Sequence, residues 1–347
     1  MMQAAIGIHT TDPIHRPIES PGALTRWARG LIMDERDLPF LSLIAAASVV
    51  MIPFAAALFI PGLFRWWLAP IYLAVSGFVF LDRYVLMLHN TSHRLLFRPE
   101  VWWMNYYVPW VLGPFFGESP EAYAGHHLGM HHPENNLEED LSTTMLYQRD
   151  RVLHFAHYFL SFFFTTLYRL PAYLWRKGRG RMGRKTLFGE VLFLVWMVGL
   201  SYFNWRATLV VYVIPFVAVR FLMMAGNWGQ HAFIDPARPE NCYVNAITCI
   251  NTRYNRRCFN DGYHIGHHLK ANRHWTEMPG EFEANIATYA KERAIVFEGI
   301  DFFIVWLFLM LGRLDWLAKH YVSLDRKKRD EGEIIALLKS RLVPIHR

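Results

Sequence analysis

The stretch from Phe40 to Ile60 reads FLSLIAAASVVMIPFAAALFI, 21 residues without a charge. As a helix rising ~1.5 Å per residue it crosses a hydrocarbon core ~30 Å thick. Working outward from it, further apolar runs predict four spanning helices, at about 39–64, 67–89, 187–203 and 207–227. Short turns at 64–66 and 204–206, each with one arginine (Arg65, Arg206), join them into two hairpins. Two more apolar stretches, 155–175 and 294–312, carry charges or a proline. They read as interfacial or re-entrant helices, with the Trp- and Tyr-rich 101–117 as an aromatic belt. The expected fold is therefore all-α: an integral membrane protein with four transmembrane helices in two hairpins, interfacial helices and a cytoplasmic cap.

Composition agrees. Of 347 residues 53% are hydrophobic and only 19% are charged, below the quarter or so usual in soluble domains. That excludes a disordered chain. Cys242, Cys249 and Cys258 are few, odd in number and without a CxxC pair, so neither a disulfide scaffold nor a zinc ribbon or iron–sulfur cluster is built from them. No GxGxxG, Walker loop or GxSxG is present. The polar N-terminus lacks the apolar core of a secretory peptide. The net charge of +7 needs no nucleic-acid partner, because no basic recognition element accompanies it. Six of the ten residues 176–185 are Lys or Arg, and 326–329 adds four more. The positive-inside rule then places both chain ends and the middle of the chain in the cytoplasm. The expected division is a cytoplasmic segment 1–37, a membrane domain 38–320 and a basic cytoplasmic tail 321–347.

Seventeen histidines are an excess, and they cluster. His89 and His93 form HxxxH at the end of the second helix, where i, i+4 spacing puts both rings on one face. His127, His131 and His132 form HxxxHH, His231 ends the fourth helix, and His264, His267 and His268 form HxxHH. All four pieces map to one membrane face in this topology. Imidazole is a common ligand of iron, zinc and copper. Nine histidines exceed the coordination of one ion and suit two ions sharing a site in the cap. Ligand type alone leaves the metal open.

This set resembles the membrane fatty acid desaturase/hydroxylase superfamily, in histidine boxes, their order, and the two hairpins, over about residues 38–280. The resemblance implies a diiron centre on His89, His93, His127, His131, His132, His231, His264, His267 and His268. Asn227 matches an asparagine that reaches a metal through water. Two iron ions, with O2 as cosubstrate, would attack an unactivated C–H bond of a fatty acid or acyl-lipid. Desaturation is the leading outcome; oxidative decarboxylation of free fatty acids to 1-alkenes, hydroxylation and ketolation are its sisters. The rival from another class is a membrane zinc hydrolase. Without a haem, flavin or iron–sulfur motif in the chain, electrons would come from an external ferredoxin, rubredoxin or cytochrome.

Around the boxes, Glu138, Glu139 and Asp140 are candidates to orient a ligand imidazole, as is Asp261, three residues before His264. Asp82 and Arg220 each lie seven residues before a metal-face residue. Charges at that depth in a span are normally paired or functional, and an Asp82–Arg220 pair joining helices two and four is the expectation, with a tunnel contact as the sharper reading. Trp228 walls the tunnel or packs the core. Arg253, Arg256, Arg257, Lys270 and Arg273 are candidates for an anionic head group.

Overall fold

Leu38–Phe59 stays helical through the interior Pro53, and Pro39 falls in the first turn, where its missing N–H costs no bond. It ends at Phe59 rather than at 64 because Ile60 precedes Pro61 and turns extended (ψ 125°). The computed structural model describes residues 8–325 and 327–346. Met1 to Gly7, Arg326 of the basic run, and Arg347 lie outside the described residues.

Among the described residues three helices are long and apolar enough to cross a membrane: Glu35–Phe59, Leu68–His93 and Gly180–Gln230. The second carries a wide π-type stretch at Val75–Leu81 and continues through His93, so both residues of the first box are helical. The third holds the expected third and fourth apolar runs. Asn204 leaves helical geometry there (φ −155°, ψ 88°). The rings of Phe193 and Phe216 lie 5.7 Å apart, whereas a straight helix would separate them by roughly 35 Å. The chain therefore doubles back at Asn204. Val49, Phe78, Val195, Trp196 and Tyr202 are exposed on these helices, an apolar surface of the kind that meets lipid rather than water.

The fold is mostly helical but not all-α. β1 (Ile247–Ile250) and β2 (Ile295–Glu298) pair in parallel, Ile247 opposite Ile295. The stretch 294–312 thus opens as a strand, and only Phe302–Met310 is helix. Four-residue apolar runs show no period that separates strand from buried helix. Stretch 155–175 lies in one helix, Val152–Arg176.

The chain divides into two units. One, residues 16–129 and 167–221, holds the long apolar helices up to Phe221. The other, residues 8–15, 130–166 and 222–346 of those described, is organised on the two strands. Alternate strand residues face two cores. Ile247, Cys249, Ile295 and Phe297 join Phe233, Val305 and Leu309. Ile250 and Val296 join Tyr263, Ile265, Phe282 and Tyr289. The third histidine box is seated through Ile265 on the second core. The C-terminal stretch contributes the helix Glu331–Ser340, whose Leu338 is fully buried. The three cysteines are free.

Candidate metal centre

In the first unit His89 and His93 project from the end of Leu68–His93, their ring centroids 5.3 Å apart. His127 meets both, at 4.6 and 4.9 Å, and His93 Nε2 lies 2.9 Å from His127 Nε2. His127 opens a π-type turn, His127–His131. Such wide turns recur at functional sites. The second box is divided between the units: His127 meets the first box, while His131 and His132 belong to the other unit.

There, His131, His231, His264 and His268 place four ring nitrogens within 4.8 Å of one another. His264 Nε2 stands 3.2 Å from His231 Nε2 and 3.0 Å from His268 Nε2. Beside them His132 and His267 approach to 2.8 Å through Nε2.

The outer side of this set fixes its chemistry. Asp140 Oδ2 lies 2.7 Å from His131 Nδ1, and a carboxylate only accepts, so Nδ1 carries a proton and Nε2 is the atom the ring has left for a metal. Ser142 donates to Asp140 Oδ1 from both backbone and hydroxyl. Of the three acidic candidates, Asp140 is buried while Glu138 and Glu139 are exposed. Asn245 does the same for His231, accepting Nδ1–H at its backbone oxygen (3.0 Å) and Oδ1 (2.9 Å). Its own amide nitrogen donates to the carbonyls of Asn135 and Pro239, which fixes its orientation. Burial, then the neighbouring His131, holds His231 down to about 3, and burial keeps His268 well below the usual imidazole range. Both rings are neutral at physiological pH. Inward lone pairs on neutral imidazoles match a soft-to-borderline divalent cation.

Asn227 donates to the Ser142 carbonyl (3.0 Å) and the Tyr158 hydroxyl (2.7 Å), which leaves Oδ1 as its atom for holding a water. Trp228 is fully buried against Tyr147, Phe155 and Tyr158, and its indole donates to the Arg149 carbonyl; it packs the core. Gly229 is required because a Cβ there would stand 2.2 Å from the Phe302 carbonyl. Asp261 accepts the Tyr254 hydroxyl (2.7 Å). His154, His157 and His274 engage Gln148, Tyr147 and Thr276.

Two supports were not visible in the sequence. Asp12 Oδ2 accepts from the Tyr263 hydroxyl, Asn255 and the Asn251 backbone, at 2.7–2.8 Å, and so braces the loop that leads into His264. Gly262 belongs to this loop; a Cβ there would stand 2.4 Å from Asn255 Oδ1. Arg149, fully buried, donates to the carbonyls of Ala232, Arg341 and Val343, tying the residue after His231 to the C-terminal stretch.

The Asp82–Arg220 pair is not formed. Arg220 binds Glu190 at 2.7 Å within its own helical hairpin. It also donates to Ser119 Oγ (3.1 Å) and the Gly117 carbonyl (3.2 Å) and lies over the Phe216 ring. Ser119 in turn donates to Glu190 (2.9 Å). Asp82 accepts the Arg83 backbone N–H. Beside this network, burial pushes the Glu118 carboxyl up to about 7, with Arg220 opposing and Glu190 adding to the rise.

The family model for fatty acid desaturases matches residues 64–299, a span that contains all nine box histidines. No curated protein and no solved structure matches the chain.

Proposed function

Because the chain belongs to the fatty acid desaturase family, whose members are oxidoreductases, we propose that it introduces a double bond into a fatty acyl chain by O2-dependent oxidation at two irons. In this reading the nine box histidines are the ligands, with His131, His231, His264 and His268 serving one of the irons. The observation that carries it is the four-imidazole set, two of whose rings are oriented from outside by Asp140 and Asn245. Bound iron supplies the activation of O2 that an unactivated C–H bond requires.

The chain's own residues do the rest. Asp140 and Asn245 hold the tautomers that turn lone pairs inward. Asn227, its amide anchored by Ser142 and Tyr158, offers Oδ1 to a water. Trp228, Tyr158 and Phe155 pack on one another around the Asn227 amide. We read the chain as crossing the membrane four times, with the break at Asn204 as one hairpin tip and with 176–185 and both ends in the cytoplasm. A separate ferredoxin, rubredoxin or cytochrome would deliver electrons on that side.

The test is to feed cells expressing the protein free fatty acids of several lengths, with and without O2, and analyse the products by mass spectrometry. An internal double bond that forms only in air supports desaturation. Terminal alkenes one carbon shorter, or a product formed anaerobically, would replace it.

A further inference from the structure

A cavity of about 330 Å³ lies in the strand-bearing unit, among the end of Met278–Glu292, the residues Tyr321, Leu324, Asp325 and Arg329, and the helix Glu331–Ser340. Its size is at the lower end of small-molecule sites, roughly 300–1,000 Å³. Ala290, Ala294 and Leu337 form an apolar wall, and Arg293, Tyr321 and Arg329 bring donors to it.

The charges around it are unequally compensated. Arg329 is bound twice by Asp325, at 2.6 and 2.8 Å. Glu333 spends its carboxylate on the backbone N–H of Asp330 (3.0 Å), capping its own helix. Asp325 is thus paired with Arg329, and Glu333, exposed and turned to its own helix start, also acts on Arg329. Arg293, in left-handed conformation (φ 62°) at the end of its helix, has no hydrogen-bond or ion-pair partner for its guanidinium among the described residues. Behind it Arg341, 3% exposed, donates to the Arg293 carbonyl at 3.0 Å. Its nearest carboxylate, Asp235, is 3.7 Å away, and its Nη1 has no hydrogen-bond partner. Burial raises the Tyr321 hydroxyl above its ordinary value, Asp325 adds to the rise, and Arg329, Arg341 and Arg293 oppose it. Three guanidinium groups therefore share one locale, one of them unpaired and one only loosely paired.

We propose that this cavity binds a small phosphate monoester, with the phosphate on Arg293 and Tyr321 and the organic part against Ala290, Ala294 and Leu337. Guanidinium and phosphate form strong charge-assisted bonds, and the buried charge of Arg341 adds a favourable field. A bare phosphate would leave the apolar wall uncovered. The site is built from residues far along the chain from the histidine boxes, and its ligand comes either from solution or from a lipid head group.

The test uses the full-length protein in uncharged detergent, titrated calorimetrically with glycerol 3-phosphate, inorganic phosphate and glycerol. Glycerol 3-phosphate should bind saturably, phosphate more weakly, and glycerol not at all. Arg293→Asn tolerates the left-handed backbone and should weaken binding about tenfold or more, the worth of a charge-assisted contact. Arg293→Lys should keep part of the affinity, and Ala294→Phe, which fills the cavity, should abolish it. Iron content should be the same in all of these variants. Nanodiscs of phosphatidylcholine with and without phosphatidic acid then separate the sources. Loss of glycerol 3-phosphate binding in phosphatidic acid indicates a lipid head group, and an unchanged titration indicates a soluble ligand. Equal affinity in wild type and Arg293→Asn, or no saturable binding of glycerol 3-phosphate, overturns the proposal.

Discussion

In the four-histidine set the outward nitrogens of His131 and His231 are satisfied by Asp140 and Asn245, while the inward nitrogens crowd one another at 3.0–3.2 Å. In the other unit Arg220, Glu190 and Ser119 satisfy one another completely, at 2.7–3.1 Å. Both clusters put polar atoms among apolar side chains, where an uncompensated group is expensive. The ion-pair cluster is closed and neutralises itself. The histidine cluster is satisfied on its outside and gathers ring nitrogens on its inside, a donor set that could hold a cation. The same physical cost is met by mutual pairing in one place and, in the proposed reading, by a metal in the other.

Breaking each cluster should therefore have different consequences. The largest effect is expected from His264→Ala, which removes the ring that two others approach. Turnover should fall to background in a product assay, while membrane insertion and the helical circular dichroism signal stay intact. Retained turnover would mean that the set is not the reactive centre.

Arg220→Leu should do the reverse and act on stability. Breaking a buried ion pair on one side costs roughly 3–5 kcal/mol. Adding Glu190→Leu should recover much of that loss, because two leucines leave no charge behind. A double variant as unstable as the single one, measured by thermal unfolding in detergent, would show that the arginine matters for another reason.

Asp140→Asn acts on the outer side of the histidine set. The tautomer of His131 loses its fixed partner, and metal affinity should drop by roughly 10–100-fold with little change in the thermal stability of the metal-free protein. Competition with a chelator measures it.

Glu118→Gln has the smallest expected effect, visible in the pH dependence. Glu118 is raised from 4.5 to about 7 in the folded protein, so between those values the folded state holds a proton that the unfolded state has released. Its contribution to stability is full below about pH 4.5 and is lost as pH rises to about 7. Thermal unfolding of Glu118→Gln should lack that decline. An unchanged slope would place the titration elsewhere.

The histidine boxes were legible because each repeats a short spacing that a helix turns into geometry, and His89 with His93 behaves that way. The second box does not, because its π-type turn separates His127 from His131, and no local residue pattern announces such a turn. Asp12 meets Tyr263 across 251 positions and Asn245 meets His231 across 14, and nothing in the local sequence marks either residue. The strands were hidden in four-residue apolar runs. Arg220's partner was within reach: Glu190 and Arg220 stand at nearly equal distances on either side of Asn204, so the hairpin itself pairs them, whereas Asp82 was selected by depth alone.

The metal separates oxidative from hydrolytic chemistry at these histidines. Elemental analysis of the purified full-length protein from iron-supplied cells, with the chain quantified by amino-acid analysis, tests it most directly. Two irons per chain and negligible zinc are predicted, with iron lost in His264→Ala. One zinc per chain and no iron would contradict the proposal and favour hydrolytic chemistry at the same histidines.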